Sequence, residues 1–135
     1  MKTLAVFVAT LLIAGCAVPI TESNTAIVMA KNVERGKGAS GIADVFDFQG
    51  QIYAYMTFRW EPLTANGGPQ TIEARWFNGQ KEVMRREHQA QFGKPPWHVW
   101  MPATGPALGV GQCRVEVYVK GRYVGQKAFT VVEKL

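Results

Sequence analysis

The sequence has little charge, few histidines and only two cysteines. Charged residues make up 19% of the 135 residues and hydrophobic residues 47%, so the chain is too apolar for intrinsic disorder and fits one folded domain. The two histidines, His88 and His98, are separated by ten positions that include two prolines, without the close spacing of metal-ligand pairs. We therefore expect a single globular domain that binds no metal.

Long hydrophobic runs are also missing. The longest uncharged apolar stretch covers residues 4–14, which is shorter than the about 20 residues that a membrane-spanning helix needs. Lys2 precedes this stretch, and a positive start followed by a short apolar core is typical of a signal peptide. The sequence therefore predicts export from the cytoplasm.

Residues 13–16, Ile-Ala-Gly-Cys, resemble the lipobox of bacterial lipoproteins. The resemblance implies a signal peptide over residues 1–15, cleavage before Cys16, and a diacylglycerol and an N-acyl chain on Cys16; we expect no other cofactor. Ala17 takes the position where aspartate favours the inner membrane, so the resemblance implies an outer-membrane protein that faces the periplasm, and cell-surface exposure stays open. The alternative is a secretory signal with an incidental cysteine.

Charge and cysteine content limit the partners of the mature chain. Removal of residues 1–15 takes away Lys2, which leaves 14 basic and 10 acidic residues, a net charge of +4. The doublet Arg85-Arg86 does not form the continuous basic stripe that tracks a phosphate backbone, so we expect no nucleic-acid binding. Cys113 lies among alternating valines and is predicted to be a buried thiol without a disulfide partner.

Alternation of apolar and polar residues predicts an all-β domain over residues 26–135, joined to the membrane by a lipidated tether over residues 16–25. The clearest period-two pattern runs over residues 51–60, and a turn is expected at Asn78-Gly79. Residues 82–92 alternate poorly and fit an edge strand or an irregular segment. The other predicted strands cover residues 25–33, 42–48, 71–77, 97–101, 112–119 and 122–133, with a glycine-rich loop over 34–41.

The order of these motifs resembles bacterial Ig-like domains. Trp76 is followed by Trp97-x-x-Trp100, by the hairpin sequence of residues 111–122, and by a closing Phe129-x-Val131. The resemblance covers most of residues 41–133 and implies an antiparallel Ig-like β-sandwich of about seven to eight strands. A transthyretin-like sandwich and a small barrel remain alternatives, since there is no cysteine pair between sheets.

The sequence carries no signature of catalysis. The glycines of residues 36–41 have the spacing of a dinucleotide fingerprint, but no helix pattern follows them. No nucleophile, base and orienting group form a recognisable motif. We therefore expect a protein that is not an enzyme.

Aromatic residues supply the candidate interface. Tyr53, Tyr55 and Trp100 fall on strand faces opposite the predicted core. If those faces are exposed to solvent, they form an interface together with Arg59 and Arg75, because aromatic and arginine side chains are enriched at protein interfaces. The alternative is that these rings pack under loops or against a second sheet. The favoured interpretation is a non-enzymatic protein-binding or scaffold module of the cell envelope. The alternatives are an immunity or inhibitor lipoprotein that inserts loops 61–69 and 102–111 into a toxic enzyme, and a binder of envelope glycans.

Overall fold

A computed structural model describes residues 17–135 of the chain. The predicted signal peptide, residues 1–15, and the predicted lipidation site, Cys16, lie outside the described residues. The described part forms nine strands, one short helix, α1 (Gly105–Leu108), and one 3-10 turn (Glu22–Asn24). The strands are β1 (Thr25–Glu34), β2 (Gly38–Ile42), β3 (Val45–Asp47), β4 (Gln51–Phe58), β5 (Gly68–Asn78), β6 (Lys81–Phe92), β7 (Trp97–Thr104), β8 (Gly111–Val119) and β9 (Arg122–Val132).

The strands form two sheets that face each other. One sheet has four strands in the order β2-β1-β4-β7, and the other has five in the order β3-β9-β8-β5-β6. All pairs are antiparallel except β3 with β9, which is parallel. The chain passes from one sheet to the other between β2 and β3, at Ala43-Asp44, so the N-terminal strands contribute to both sheets.

The core lies between the sheets and follows the predicted alternation. Every second residue of β4, from Ile52 to Phe58, is buried, and the intervening residues are more exposed. The inner residues of β5 and β8, among them Trp76 and Val117, meet them from the other sheet and are also fully buried. Burial of these side chains is the main favourable term that holds the sheets together.

Four segments differ from the sequence-based expectation. The glycine-rich stretch contains strand β2, and the strand predicted over 42–48 is divided at the sheet crossing. Residues 105–108, expected as loop, form α1, whose N-cap Thr104 accepts a hydrogen bond from the Ala107 N–H. Residues 81–92 form one continuous edge strand, which is one of the two alternatives expected there. In the β5–β6 hairpin the two-residue loop is Gly79-Gln80, because Asn78 still pairs with Lys81.

The N-terminal segment is part of the fold from Val18 onward. The Val18 N–H donates to the carbonyl of Gly67 at 2.9 Å, and Ile20 is only 4% exposed within the core. Gln70, itself 3% exposed, donates from Nε2 to the Val18 carbonyl at 2.8 Å. The segment between Cys16 and the fold is therefore shorter than the predicted tether of residues 16–25.

The segments before, between and after the strands lie at two ends of the sandwich. The N-terminal end consists of residues 17–24, 59–67, 93–96 and 120–122; the C-terminal end consists of residues 48–50, 79–80, 105–110 and 133–135. Strand β4, eight residues long, runs from one end toward the other, which separates them by about 25 Å.

Candidate binding face

The outer surface of the four-stranded sheet carries a cluster of aromatic side chains, which we call the aromatic face: Tyr53, Tyr55, His98 and Trp100. β4 and β7 pair so that Tyr55 stands directly opposite Trp100. Because side chains alternate across a strand, these residues point away from the core that Ile52, Met56 and Val99 fill. The tyrosines and Trp100 are half-buried, although no second sheet formed by residues 17–135 covers them.

Three rings of the aromatic face form a stacked row. The Tyr55 ring is stacked with His98 at a centroid distance of 5.3 Å and an interplanar angle of 22°, and with Trp100 at 5.9 Å and 18°. His98 Nδ1 is hydrogen-bonded to Thr57 Oγ1 at 3.0 Å. A stack of this kind holds its side chains in fixed rotamers and so offers a preformed surface.

Desolvation lowers the pKa of His98 from its ordinary value, and the nearby positive charge of Arg59 lowers it further. Both effects favour the neutral imidazole, which can donate from only one of its two ring nitrogens. At neutral pH the aromatic row therefore carries no charge of its own.

The tip of the β1–β2 hairpin lies against this row. A Cβ atom at Gly38 would stand 3.4 Å from the Tyr55 hydroxyl, and Gly38 has a φ of +88°. Residues 34–38 and the aromatic row together enclose a groove of about 260 Å³, to which Lys37 contributes a basic side chain. A glycine at this position lets the hairpin backbone approach the tyrosine, and its positive φ disfavours a larger residue.

A second groove runs between the free edges of the two sheets. β6 and β7 are edge strands, and a groove of about 290 Å³ lies between them. Its lining residues are Arg35, His88, Ala90, Trp97, His98, Val99 and Trp100. Among residues 17–135 no group of three or more His, Cys, Asp or Glu side chains could hold a metal ion. The groove is thus lined by aromatic, imidazole and guanidinium groups.

The structure brings together four of the five predicted interface residues. Tyr53, Tyr55 and Trp100 share the aromatic face, and Arg59 lies at the end of β4 beside it. Arg75 lies elsewhere, because β5 belongs to the other sheet and directs Arg75 to the opposite outer surface.

That opposite surface, which we call the charged face, is organised by ion pairs and by arginines packed on rings. The Arg75 guanidinium lies 3.8 Å from the centroid of the Tyr118 ring and bonds Glu73 at 2.7 Å. The remaining contacts repeat the same pattern: Arg114 over Phe77 at 4.0 Å, Arg114 with Glu116 at 3.0 Å, and Arg85 with Glu82 at 2.7 Å. Arg75 therefore has partners within its own sheet.

Sequence reasoning missed His98 and Gly38 as parts of the candidate site. The two-residue alternation that placed Trp100 on the outer face places His98 there as well, so the pattern already contained that signal. Gly38 is 17 positions from Tyr55 along the chain and meets it only through the folding of the hairpin. No local pattern indicates such a contact.

The structure also describes the other residues that the sequence singled out, which are Cys113 and the two loops of the inhibitor hypothesis. Cys113 is buried, and desolvation raises the pKa of its thiol, which makes it a weak nucleophile. Residues 61–67 belong to the N-terminal end and residues 105–110 to the C-terminal end, so the two loops of the inhibitor hypothesis lie at opposite ends of the sandwich. Over residues 17–135, no helix has both the length and the apolar character to traverse a lipid bilayer.

Comparisons with known proteins bear on the fold alone. No family model matches the chain, and no curated protein is similar to it in sequence. Among solved structures, the chain is similar to an immunoglobulin-like protein from Pseudomonas aeruginosa, with a TM-score of 0.51 and 12% identity over 87% of this chain and 100% of that chain. The predicted all-β, Ig-like sandwich is thereby confirmed.

Proposed function

We propose that this protein is a lipid-anchored, non-enzymatic binding module of the bacterial cell envelope that docks a protein partner on its aromatic face. The lipobox-like sequence that ends in Cys16 supports the anchor. The observation that carries the docking proposal is the stacked row of His98, Tyr55 and Trp100 on the outer face of the four-stranded sheet. Within residues 17–135 no second sheet covers this row, although the tip of the β1–β2 hairpin lies against one side of it.

Three properties of this row suit a protein interface. Tyr55 and Trp100 are half-buried, and all three rings are held by stacking, so binding costs little further side-chain entropy. Aromatic rings of this size are the side chains most often found at the centre of protein interfaces. The row also adjoins the unpaired edge of β7, where the backbone of a partner strand can add hydrogen bonds beside the side-chain contacts.

The geometry favours a protein over a glycan. Carbohydrate binding uses the open face of a ring, whereas Tyr55 is stacked with both His98 and Trp100, so its faces are engaged within the protein. The inhibitor alternative has less support, since its two loops project from opposite ends and one enzyme cleft would have to span about 25 Å to receive both.

Affinity purification tests the proposal. The full-length tagged protein is expressed with its anchor, envelopes are crosslinked and solubilised in detergent, and co-purifying proteins are quantified. We expect one protein enriched in near-stoichiometric amount with the wild type and at least tenfold less with Trp100→Ala, since hot-spot residues contribute about 2 kcal/mol or more. Circular dichroism establishes that the variant is folded.

Two controls make the result specific. Tyr123→Ala removes an aromatic ring that is 37% exposed on the other outer surface and should leave partner recovery unchanged. Cys16→Ala removes the anchor and should reduce recovery because the partner is no longer held at the same membrane. Recovery of glycan without protein, or equal loss with Trp100→Ala and Tyr123→Ala, would contradict docking on the aromatic face.

A further inference from the structure

The attachment point of the predicted anchor lies close to one end of the sandwich. Cys16 precedes Val18 by two residues, and Val18 is fixed by hydrogen bonds to Gly67 and Gln70. Two residues of chain reach at most about 7 Å. An acyl group on Cys16 would therefore hold the N-terminal end of the domain against the bilayer with almost no free tether.

The charge of that end fits an anionic surface. The N-terminal end contains four exposed basic residues and two acidic ones, Glu22 and Glu61. The basic residues are Arg59, Lys94, Lys120 and Arg122. Within residues 17–135 none of the four takes part in an ion pair, unlike the arginines of the charged face. Unpaired basic groups near a membrane are attracted to anionic headgroups.

The same end also exposes an apolar side chain. Leu63 lies in the β4–β5 loop and is 62% exposed, next to Pro62 and close to Pro95 and Pro96 of the neighbouring loop. An exposed leucine at an end of the domain where basic residues outnumber acidic ones is an arrangement that lets a protein surface insert a side chain between lipid headgroups.

From this juxtaposition we propose that the N-terminal end is a membrane-contacting surface, on which Lys94, Lys120 and Arg122 meet anionic phospholipid headgroups and Leu63 enters the interfacial layer. The inference rests on lipidation of Cys16 and adds a fixed orientation to it. The long axis of β4 then stands away from the membrane, and the aromatic face is presented sideways rather than toward the lipid.

Short-range quenching by spin-labelled lipid tests the orientation. The mature lipidated protein with Leu63→Cys is labelled with a fluorophore and reconstituted in vesicles of equal parts phosphatidylglycerol and phosphatidylcholine that contain a nitroxide headgroup lipid. Val110→Cys is the matched control, because Val110 is also exposed and apolar, at 46%, but belongs to the C-terminal end. The buried Cys113 does not compete for the label. We expect strong quenching at position 63 and little at position 110.

A charge-reversed variant tests the electrostatic part. The triple variant with Lys94→Glu, Lys120→Glu and Arg122→Glu should contact the membrane less. The equilibrium constant for membrane contact should fall by about fivefold for each basic residue removed. Salt at about 1 M should act in the same direction by screening. Lys81→Glu with Lys134→Glu, at or beside the C-terminal end, should have no effect.

Anchoring is measured in parallel by flotation of the vesicles. Flotation with strong quenching at position 63 alone supports the proposal. Flotation with equal quenching at positions 63 and 110 overturns the orientation and leaves the anchor intact. Failure to float overturns the anchor and the orientation together.

Discussion

The side chains on the two outer faces of the sandwich make different kinds of contact. On the charged face Arg75 bonds Glu73 and lies on the Tyr118 ring, and Tyr118 in turn donates from its hydroxyl to Glu116 at 2.9 Å. On the aromatic face the rings contact one another. The side-chain hydrogen bond of this row joins His98 Nδ1 to the hydroxyl of Thr57.

This difference indicates which face is suited to a partner. Charged groups that already have partners would lose them on docking, so burying the charged face costs desolvation without new pairing. The rings of the aromatic face gain when water leaves them, and they have no ion pairs to lose. A protein interface on the aromatic face therefore costs less than one on the charged face, and three experiments examine that difference.

Tyr55→Ala should have the largest effect on stability. It removes both stacking contacts and opens a gap beneath the β1–β2 hairpin, so we expect the free energy of unfolding to fall by about 2 kcal/mol. Tyr123→Ala on the charged face, which loses one edge-on contact with Tyr118 at 5.8 Å, should cost less than about 1 kcal/mol. Urea unfolding followed by tryptophan fluorescence measures both. Equal losses would mean that the row is no better ordered than the opposite surface.

Arg75→Ala should have a smaller effect. The guanidinium contributes a cation–π contact and a partly exposed ion pair, so we expect a loss of about 1 kcal/mol. Arg75→Lys should recover only part of it, because the ammonium group cannot lie flat on the Tyr118 ring. Urea unfolding at low and high salt separates the ion pair, which salt weakens, from the ring contact. A loss that is identical for Ala and Lys would argue against the stacked geometry.

The titration of His98 should give the smallest effect. Since its pKa is lowered in the folded protein, the unfolded chain binds more protons near its ordinary value of about 6.5. Stability is therefore complete above that pH and decreases slightly as pH falls through the folded pKa. NMR titration of the His98 ring should give a midpoint below that of the unfolded chain, and Arg59→Gln should raise it. A midpoint that Arg59→Gln leaves unchanged would exclude the electrostatic contribution.

The sequence predicted those parts of the fold in which one face of a strand is buried. β4, β5 and β8 pack one side on the core, so their apolar residues alternate and their inner residues, such as Met56 and Trp76, could be named in advance. Alternation did not identify β6 clearly, because β6 is an edge strand with most residues exposed on both faces. Alternation is absent where neither face has a core to fill.

The candidate site could be predicted only in part, because alternation describes one strand at a time. Alternation identifies the face on which Tyr55 and Trp100 lie, but it contains no information about which sheet a strand joins. Arg59 and Arg75 therefore looked equivalent in the sequence, although β4 and β5 belong to different sheets. The contact between Gly38 and Tyr55 and the docking of Val18 on Gly67 are tertiary contacts that no local pattern specifies.

The parallel pairing of β3 with β9 has a consequence for how the protein folds. The strand that closes one edge of the five-stranded sheet, β3, lies about a third of the way along the chain, and its partner β9 is the last of the nine strands that the structure describes. That edge cannot form until β9 is present, and the cost of closing such a long loop slows folding. We expect the domain to fold as one cooperative unit, so that a chain truncated before β9 collapses without reaching the native topology.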